Sequence, residues 1–269
     1  MSTKPTPNIE VHRRSGTATV LLQNPAQRNA LTKEMCLQLV GALAGLSADP
    51  DVDVVVLRGD GANFSAGIAI DQMEQVLFDR DQDGDLVNHL DLLDRTLREC
   101  AKPTIAAVQG LCFGGAWQVA AACDIQLASN EVAIAITPAK IGLVFPRAGI
   151  ERLVQRVGED RAKYLLLTGA KITAAQADAW GLFTIVVPAE EFEDQLAALI
   201  AQLQANSPYV LLRMKEALSL AAQGIDHPGH DQWWATLWEE NAANPDLVEG
   251  RAAFLERRPA HFGESNGEK

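Results

Sequence analysis

Two short apolar runs constrain the fold more than anything else in the chain. Residues 52–57 (Val-Asp-Val-Val-Val-Leu) and 104–108 (Thr-Ile-Ala-Ala-Val) each lead into a turn of small residues, and after each turn the sequence favours helix. The first turn reads Gly-Asp-Gly-Ala-Asn-Phe-Ser-Ala-Gly over 59–67, and the second runs from Gly110 to the Gly114-Gly115 pair. Continuous β-branched runs of this length are buried strands. Strands that alternate with helices imply a sheet covered by helices, hence an α/β fold.

The rest of the chain extends this pattern. Segments 10–14 and 17–22 flank Ser15-Gly16, a hairpin signal. Thr32 caps a helix running to about 47, with Met35, Leu37, Leu39, Val40, Leu43 and Leu46 on one side. A charged loop is expected at 79–85 and a helix over 85–101. Further short strands fall at 125–128, 132–136 and 183–187. Helices are expected at 161–168 and 174–180, and then at 190–205, 208–222, 231–242 and 245–257. The expected division is an α/β core over 1–197 and a helical region over 198–269.

Composition excludes several classes. The chain has 269 residues, is 48% hydrophobic and 22% charged, and carries a formal net charge of −12. Such a chain repels nucleic-acid backbones at long range. No apolar run reaches the roughly 18 residues of a membrane helix, and residues 1–8 lack the apolar core of a secretory signal. Cys36, Cys100, Cys112 and Cys123 show no CxxC spacing and sit in apolar segments. They read as buried thiols of a cytoplasmic protein.

The two glycine turns are where chemistry is expected. Glycines at a helix start let backbone approach a ligand closely, and they aim unpaired N–H groups, with the positive end of the helix dipole, at negative charge. Two such turns brought together would form an oxyanion hole for a polarised carbonyl. Other chemistry-bearing residues read more plainly. The acidic 79–85 loop lacks calcium-loop spacing and its distal glutamate. His227 and His230 have no carboxylate at metal spacing, so no metal site is expected. Trp233, Trp234 and Trp238 suit a packed or subunit-facing helix. Asp124 suits a turn-holding role, Glu151 a surface or interface position, and Asp71 and Glu74 a solvent-facing helix start.

An ordered series of segments then becomes recognisable: FSAG (64–67), KPTIAAVQG (102–110), GGAWQVAAACD (114–124), KIGLVF (140–145), LLTGAKITAAQADAWGL (166–182) and EGRAAFLERRP (249–259). Together they resemble the crotonase, or enoyl-CoA hydratase/isomerase, family over about residues 10–262. The resemblance implies a crotonase-like spiral of ββα units with a C-terminal helical trimerisation region. It also implies a homotrimer or dimer of trimers, acyl-CoA as substrate, and no cofactor beyond the CoA moiety of that substrate. The two backbone N–H donors that hold a thioester enolate fall on Ile68 and Gly115. Arg28, Ala30, Ala66 and Ile70 match positions along the CoA channel. Arg258 and Phe262 match positions that touch its adenine or phosphates, although a solvated helix end explains the Arg257-Arg258 pair equally well.

The departures from the resembling pattern bear on the reaction. Of the two hydratase glutamates, one position falls on Gln118, which can hold a water but cannot exchange a proton at neutral pH. The other falls on Pro138. An aspartate used by other members falls near Pro146. Gly114–Trp117, Thr137-Pro138, Gly149-Ile150 and the 249–259 ending resemble the methylmalonyl-CoA decarboxylases. The polar groups of those enzymes fall here on Ile68 and Phe145. An apolar pocket of Ile68, Trp117, Pro138 and Phe145 would desolvate a carboxylate, which decarboxylation needs. The expected activity is therefore an acyl-CoA enzyme of hydratase/isomerase type, a lyase with an atypical site. Decarboxylation of a methylmalonyl-CoA-type substrate is the alternative, hydrolysis or C–C cleavage stays open, and a non-catalytic acyl-CoA-binding scaffold is the alternative of another class.

Overall fold

The computed structural model describes residues 6–222 and 229–263. Its strands are β1 (Asn8–Arg14), β2 (Thr17–Gln23), β3 (Val54–Gly59), β4 (Asp79–Arg80), β5 (Leu86–Val87), β6 (Thr104–Val108), β7 (Leu111–Phe113), β8 (Ile125–Ser129), β9 (Ala133–Ala135), β10 (Lys171–Ile172) and β11 (Ile185–Val187). Its helices are α1 (Lys33–Ala48), α2 (Met73–Leu77), α3 (His89–Glu99), α4 (Gly115–Ala122), α5 (Arg147–Val157), α6 (Glu159–Thr168), α7 (Ala174–Ala179), α8 (Phe192–Gln204), α9 (Pro208–Ala221), α10 (His230–Ala242) and α11 (Pro245–Glu256). Two compact units emerge, Met1–Ala198 and Leu199–Lys269.

In the first unit, a six-stranded sheet runs in the order β1-β2-β3-β6-β8-β11. Only the β1–β2 hairpin is antiparallel. A second sheet runs β10-β9-β7. The chain visits the two sheets in turn. β6 lies in the large sheet, β7 in the small one, and α4 follows. β8, β9 and α5 repeat the cycle one strand further along. Ser65, after β3, bridges Cys112 of β7 in parallel. The loop after β3 therefore occupies the small-sheet position of the preceding cycle. This succession of ββα steps is the expected α/β spiral.

Local chemistry accounts for the elements. β2 alternates, with Ala18, Val20 and Leu22 inward, whereas β3 and β6 are buried almost throughout. The Thr32 hydroxyl accepts from the Met35 N–H at 3.2 Å and starts α1. Leu37 does not join the inward side of that helix and is exposed. Two positions after Met35, it lies about 200° around the helix. The 79–85 segment is more than a loop, because β4 pairs antiparallel with β5. The following helix therefore starts at His89, where Asn88 accepts from the Leu90 and Asp91 N–H groups. All four cysteines are buried and none forms a disulfide, and burial pushes the Cys36 thiol up to about 12. Asp124 accepts from the Thr104 N–H (2.7 Å) and hydroxyl (2.8 Å), tying the start of β8 to the start of β6.

The second unit holds α9, α10 and α11. Trp238 and Trp234 are exposed along a groove with Tyr209, Met214 and Leu237. His230 opens α10 and is buried, while His227 lies outside the described residues. No described helix is long and apolar enough to cross a membrane.

Candidate active site

Two glycine conformations bring the turns together. Gly67 has φ +98° and Gly114 φ +53°, a region that side chains with a Cβ rarely enter. A Cβ on Gly67 would lie 2.6 Å from the Phe113 carbonyl oxygen and 3.6 Å from the Gly115 nitrogen. The first turn thus passes directly beside the start of α4.

The backbone pairing around Ile68 is nearly complete. The Leu31 N–H donates to Gly67 O at 2.7 Å and the Ala69 N–H to Leu31 O at 2.8 Å. The Gly67 N–H donates to the Ser65 hydroxyl, which itself donates to Asn29 O. The Gly114 N–H donates to Ala135 O at 2.8 Å. Gly115 is the first residue of α4, so its N–H has no partner within the helix. Among the described residues, no acceptor takes the Ile68 or Gly115 N–H. The Ile68 side chain lies against Gly115, 3.1 Å from where a Cβ would stand.

Both residues line a cavity of about 100 Å³. Ala66, Ile70, Pro138 and Phe145 also face it, with Met73, Leu90, Phe113, Ile141 and Leu143. Thr137 supplies its one polar side chain, and no ionisable side chain lines it. The volume is below the roughly 300 Å³ of pockets that enclose whole ligands, so only a short end of a ligand fits. In an apolar wall, two unpaired N–H dipoles would meet negative charge with little screening.

Other expected site residues lie elsewhere. Trp117 does not form a cavity wall. It is fully buried in the core of the first unit, because α4 is buried on every side. Gln118, also fully buried, sits behind the wall. Its Nε2 donates to Asp91 Oδ1 at 3.0 Å, and its Oε1 has no protein partner. A Cβ on Gly149 would meet Phe145 Cε1 at 2.5 Å and Gln118 Oε1 at 2.9 Å. The amide oxygen and the edge of the cavity-lining Phe145 ring therefore share the space over one bare Cα. Arg28 is exposed at φ +53°, and its carbonyl accepts from the Ala66 N–H. Ala30 is buried, its carbonyl bonded by Asn24 Nδ2.

In the second unit, Arg258 is paired with Glu249 (2.6 and 2.9 Å) and with Glu256 (2.7 Å). The Arg258 guanidinium, with the His261 N–H second, holds the Glu249 carboxyl down at about 2. The Phe262 ring packs on Gly250. Glu151 is exposed and pairs with Arg147. No group of three metal-ligating side chains occurs among the described residues.

The structure adds a polar cluster behind the wall. Asp94 and Arg152 form a buried two-pronged pair at 2.5 and 2.9 Å, and Arg152 also reaches Gln118 O at 3.4 Å. The Asp91 carboxyl is raised above its ordinary range, first by burial and then by the Asp94 charge, against the hydrogen bond from Gln118. One signal in the sequence points to this cluster: Asp94 lies four residues after Leu90 and one after Leu93, on the apolar face of α3.

Known proteins resemble this chain over nearly its whole length. The enoyl-CoA hydratase/isomerase family profile matches residues 12–265. A Thermus thermophilus protein provisionally named an enoyl-CoA hydratase is 36% identical, over 91% of this chain and 96% of its own length. The 2,3-dehydroadipyl-CoA hydratase of Escherichia coli is 30% identical, over 94% and 97%. A crystal structure described as an enoyl-CoA hydratase/isomerase family member superposes with a TM-score of 0.93 at 43% identity, covering 99% of this chain and all of that one. With its spiral of ββα steps and paired glycine turns, the chain is an enzyme of the enoyl-CoA hydratase/isomerase, or crotonase, family.

Proposed function

We propose that the protein acts on a short-chain acyl-CoA, or a related thioester, by way of an enolate whose oxygen accepts from the Ile68 and Gly115 N–H groups. One observation carries the reading. Two unpaired backbone donors stand side by side on a cavity that has no ionisable side chain on its wall. Charge developing on the thioester oxygen meets fixed dipoles in an apolar wall. Hydration, or its reverse, is the nominal reaction, with Thr137 on the cavity wall and Gln118 behind it as the polar groups beside the acyl end. Ala66 and Ile70 line the way in, with Arg28 beside them. Arg258 and Phe262 are proposed to meet the nucleotide end.

Decarboxylation of a malonyl-type thioester is the second reading. The same apolar wall favours it, since loss of CO₂ needs a desolvated carboxylate and an enolate hole rather than a base. Exposed Leu218, Trp238, Phe254 and Leu255 on α9 to α11 support assembly into a homotrimer or a dimer of trimers.

Calorimetry with acetyl-CoA tests the ligand class, and absence of binding at millimolar concentration would remove it. Mass spectrometry of a panel of enoyl-, malonyl- and 3-hydroxyacyl-CoA thioesters then reads the reaction. Water gained or lost supports the first reading and loss of CO₂ the second. Tight binding with no altered thioester would leave an acyl-CoA-binding scaffold.

A further inference from the structure

Gln118 Oε1 is an acceptor in a fully buried residue, with no protein partner. Leaving such an atom unpaired costs stability. It lies over the bare Cα of Gly149 beside the Cε1 edge of Phe145, and Phe145 also lines the cavity. The Phe145 ring is thus the neighbour that this oxygen shares with the cavity.

The end of the amide that points there is decided from behind. An ionised carboxylate accepts hydrogen bonds and donates none. Asp91 therefore takes the NH₂ end of Gln118, at 3.0 Å, and turns the oxygen the other way. Arg152 is turned away from that oxygen: it is held by Asp94 and touches only the Gln118 backbone carbonyl. The cavity itself offers Thr137 as its one polar side chain.

We infer that Asp91 is a positioning residue that locks the Gln118 amide with its oxygen toward the Phe145 side of the cavity, so that the site selects an acyl group carrying a hydroxyl donor over one without it. The inference rests on the acyl-CoA reading above and adds the substrate feature that the site recognises. A hydroxyl on the acyl chain donates to Oε1. A plain alkyl chain leaves the acceptor unpaired, and a carboxylate there meets lone pairs with lone pairs.

The test is calorimetry of 3-hydroxybutyryl-CoA against butyryl-CoA. The ratio of their two dissociation constants within each variant cancels any general change in affinity. The unmodified protein is expected to bind the hydroxyacyl ligand about tenfold more tightly, the worth of one buried hydrogen bond. Gln118→Met and Asp91→Leu are each expected to bring the ratio near one. Asp91→Asn keeps the shape of the side chain but can pair with either end of the amide, and is expected to bring the ratio below about threefold. Phe145→Ala, which opens the wall to Oε1, is expected to raise it. Equal binding of the two ligands by the unmodified protein would overturn the inference. So would a ratio that survives both Asp91 substitutions while Gln118→Met abolishes it. Failure of the unmodified protein to bind either ligand would instead remove the acyl-CoA reading, and this inference with it.

Discussion

Gly67 and Gly114 both hold positive φ, but a side chain would fail at them for different reasons. At Gly114 a Cβ meets nothing within 4 Å, so Gly114→Ala tests backbone strain alone, about 1–3 kcal/mol. At Gly67 the Cβ also collides with the Phe113 carbonyl at 2.6 Å. Gly67→Ala is therefore expected to lower the melting temperature more than Gly114→Ala and to abolish acyl-CoA binding, as thermal unfolding and calorimetry would show. Asp91 gives a prediction in pH. Its carboxyl is raised, first by burial, so the folded chain holds this proton to a higher pH than the unfolded chain does, and Asp91 is the ionised acceptor of Gln118 above that range. That contribution is complete below the ordinary carboxylate pKa of about 4 and is lost as pH rises through the folded value. In urea titrations, the stability of Asp91→Asn relative to the unmodified protein should therefore increase as pH rises from about 4. At this scale the sequence is legible wherever the physics is local. The Thr32 cap and the unpaired Gly115 N–H at a helix start depend on neighbours along the chain, whereas Asp124, expected to hold a turn, reaches back to Thr104 on another strand. Asp91, Asp94 and Arg152 depend on α3, α4 and α5 meeting in space, which no single segment records.

Elements are legible in proportion to how one-sided their burial is. β2, β3 and β6 announce themselves by alternation or by unbroken apolarity. The β4–β5 pair does not, because each strand is only two residues long, too short to show a period, and the pairing rests on backbone bonds that any side chains permit. α4 hides its role for the opposite reason. It is buried on every side, so periodicity cannot say which of its residues face the cavity, and Trp117 is expected on a wall when it is core. The link between α3 and α5 is the Asp94–Arg152 pair, whose side chains are 2% and 13% exposed. Arg152→Met would leave the Asp94 charge buried without its partner. The expected cost is about 3–5 kcal/mol, read as a lower midpoint in urea unfolding. Because Arg152 also touches the Gln118 carbonyl, hydrogen exchange should rise in α4 as well as in α3 and α5.

For the molecule as a whole, the formal charge of −12 argues against extended polyanions and says little about a ligand held by backbone N–H groups and a few arginines. The two units, 1–198 and 199–269, differ in what they leave uncovered. The helices of the second expose Phe254 at 83% and Leu255 at 74%. Light scattering after size exclusion should give three or six times the 29.0 kDa chain mass, and Phe254→Ser with Leu255→Ser should shift the particle toward the single chain. A monomeric unmodified protein would refute that assembly. The two N–H donors carry a consequence for how such a protein changes over time. Ile68 and Gly115 contribute backbone, so exchanging the Ile68 side chain leaves its donor in place, and the donor is lost only if the turn itself is lost. The groups that would handle protons or choose among acyl chains are side chains, at Gln118, Pro138 and Phe145, each open to single-codon replacement. On the proposed reading, charge stabilisation is thus inherited with the fold, while the choice of reaction rests on side chains that are free to drift.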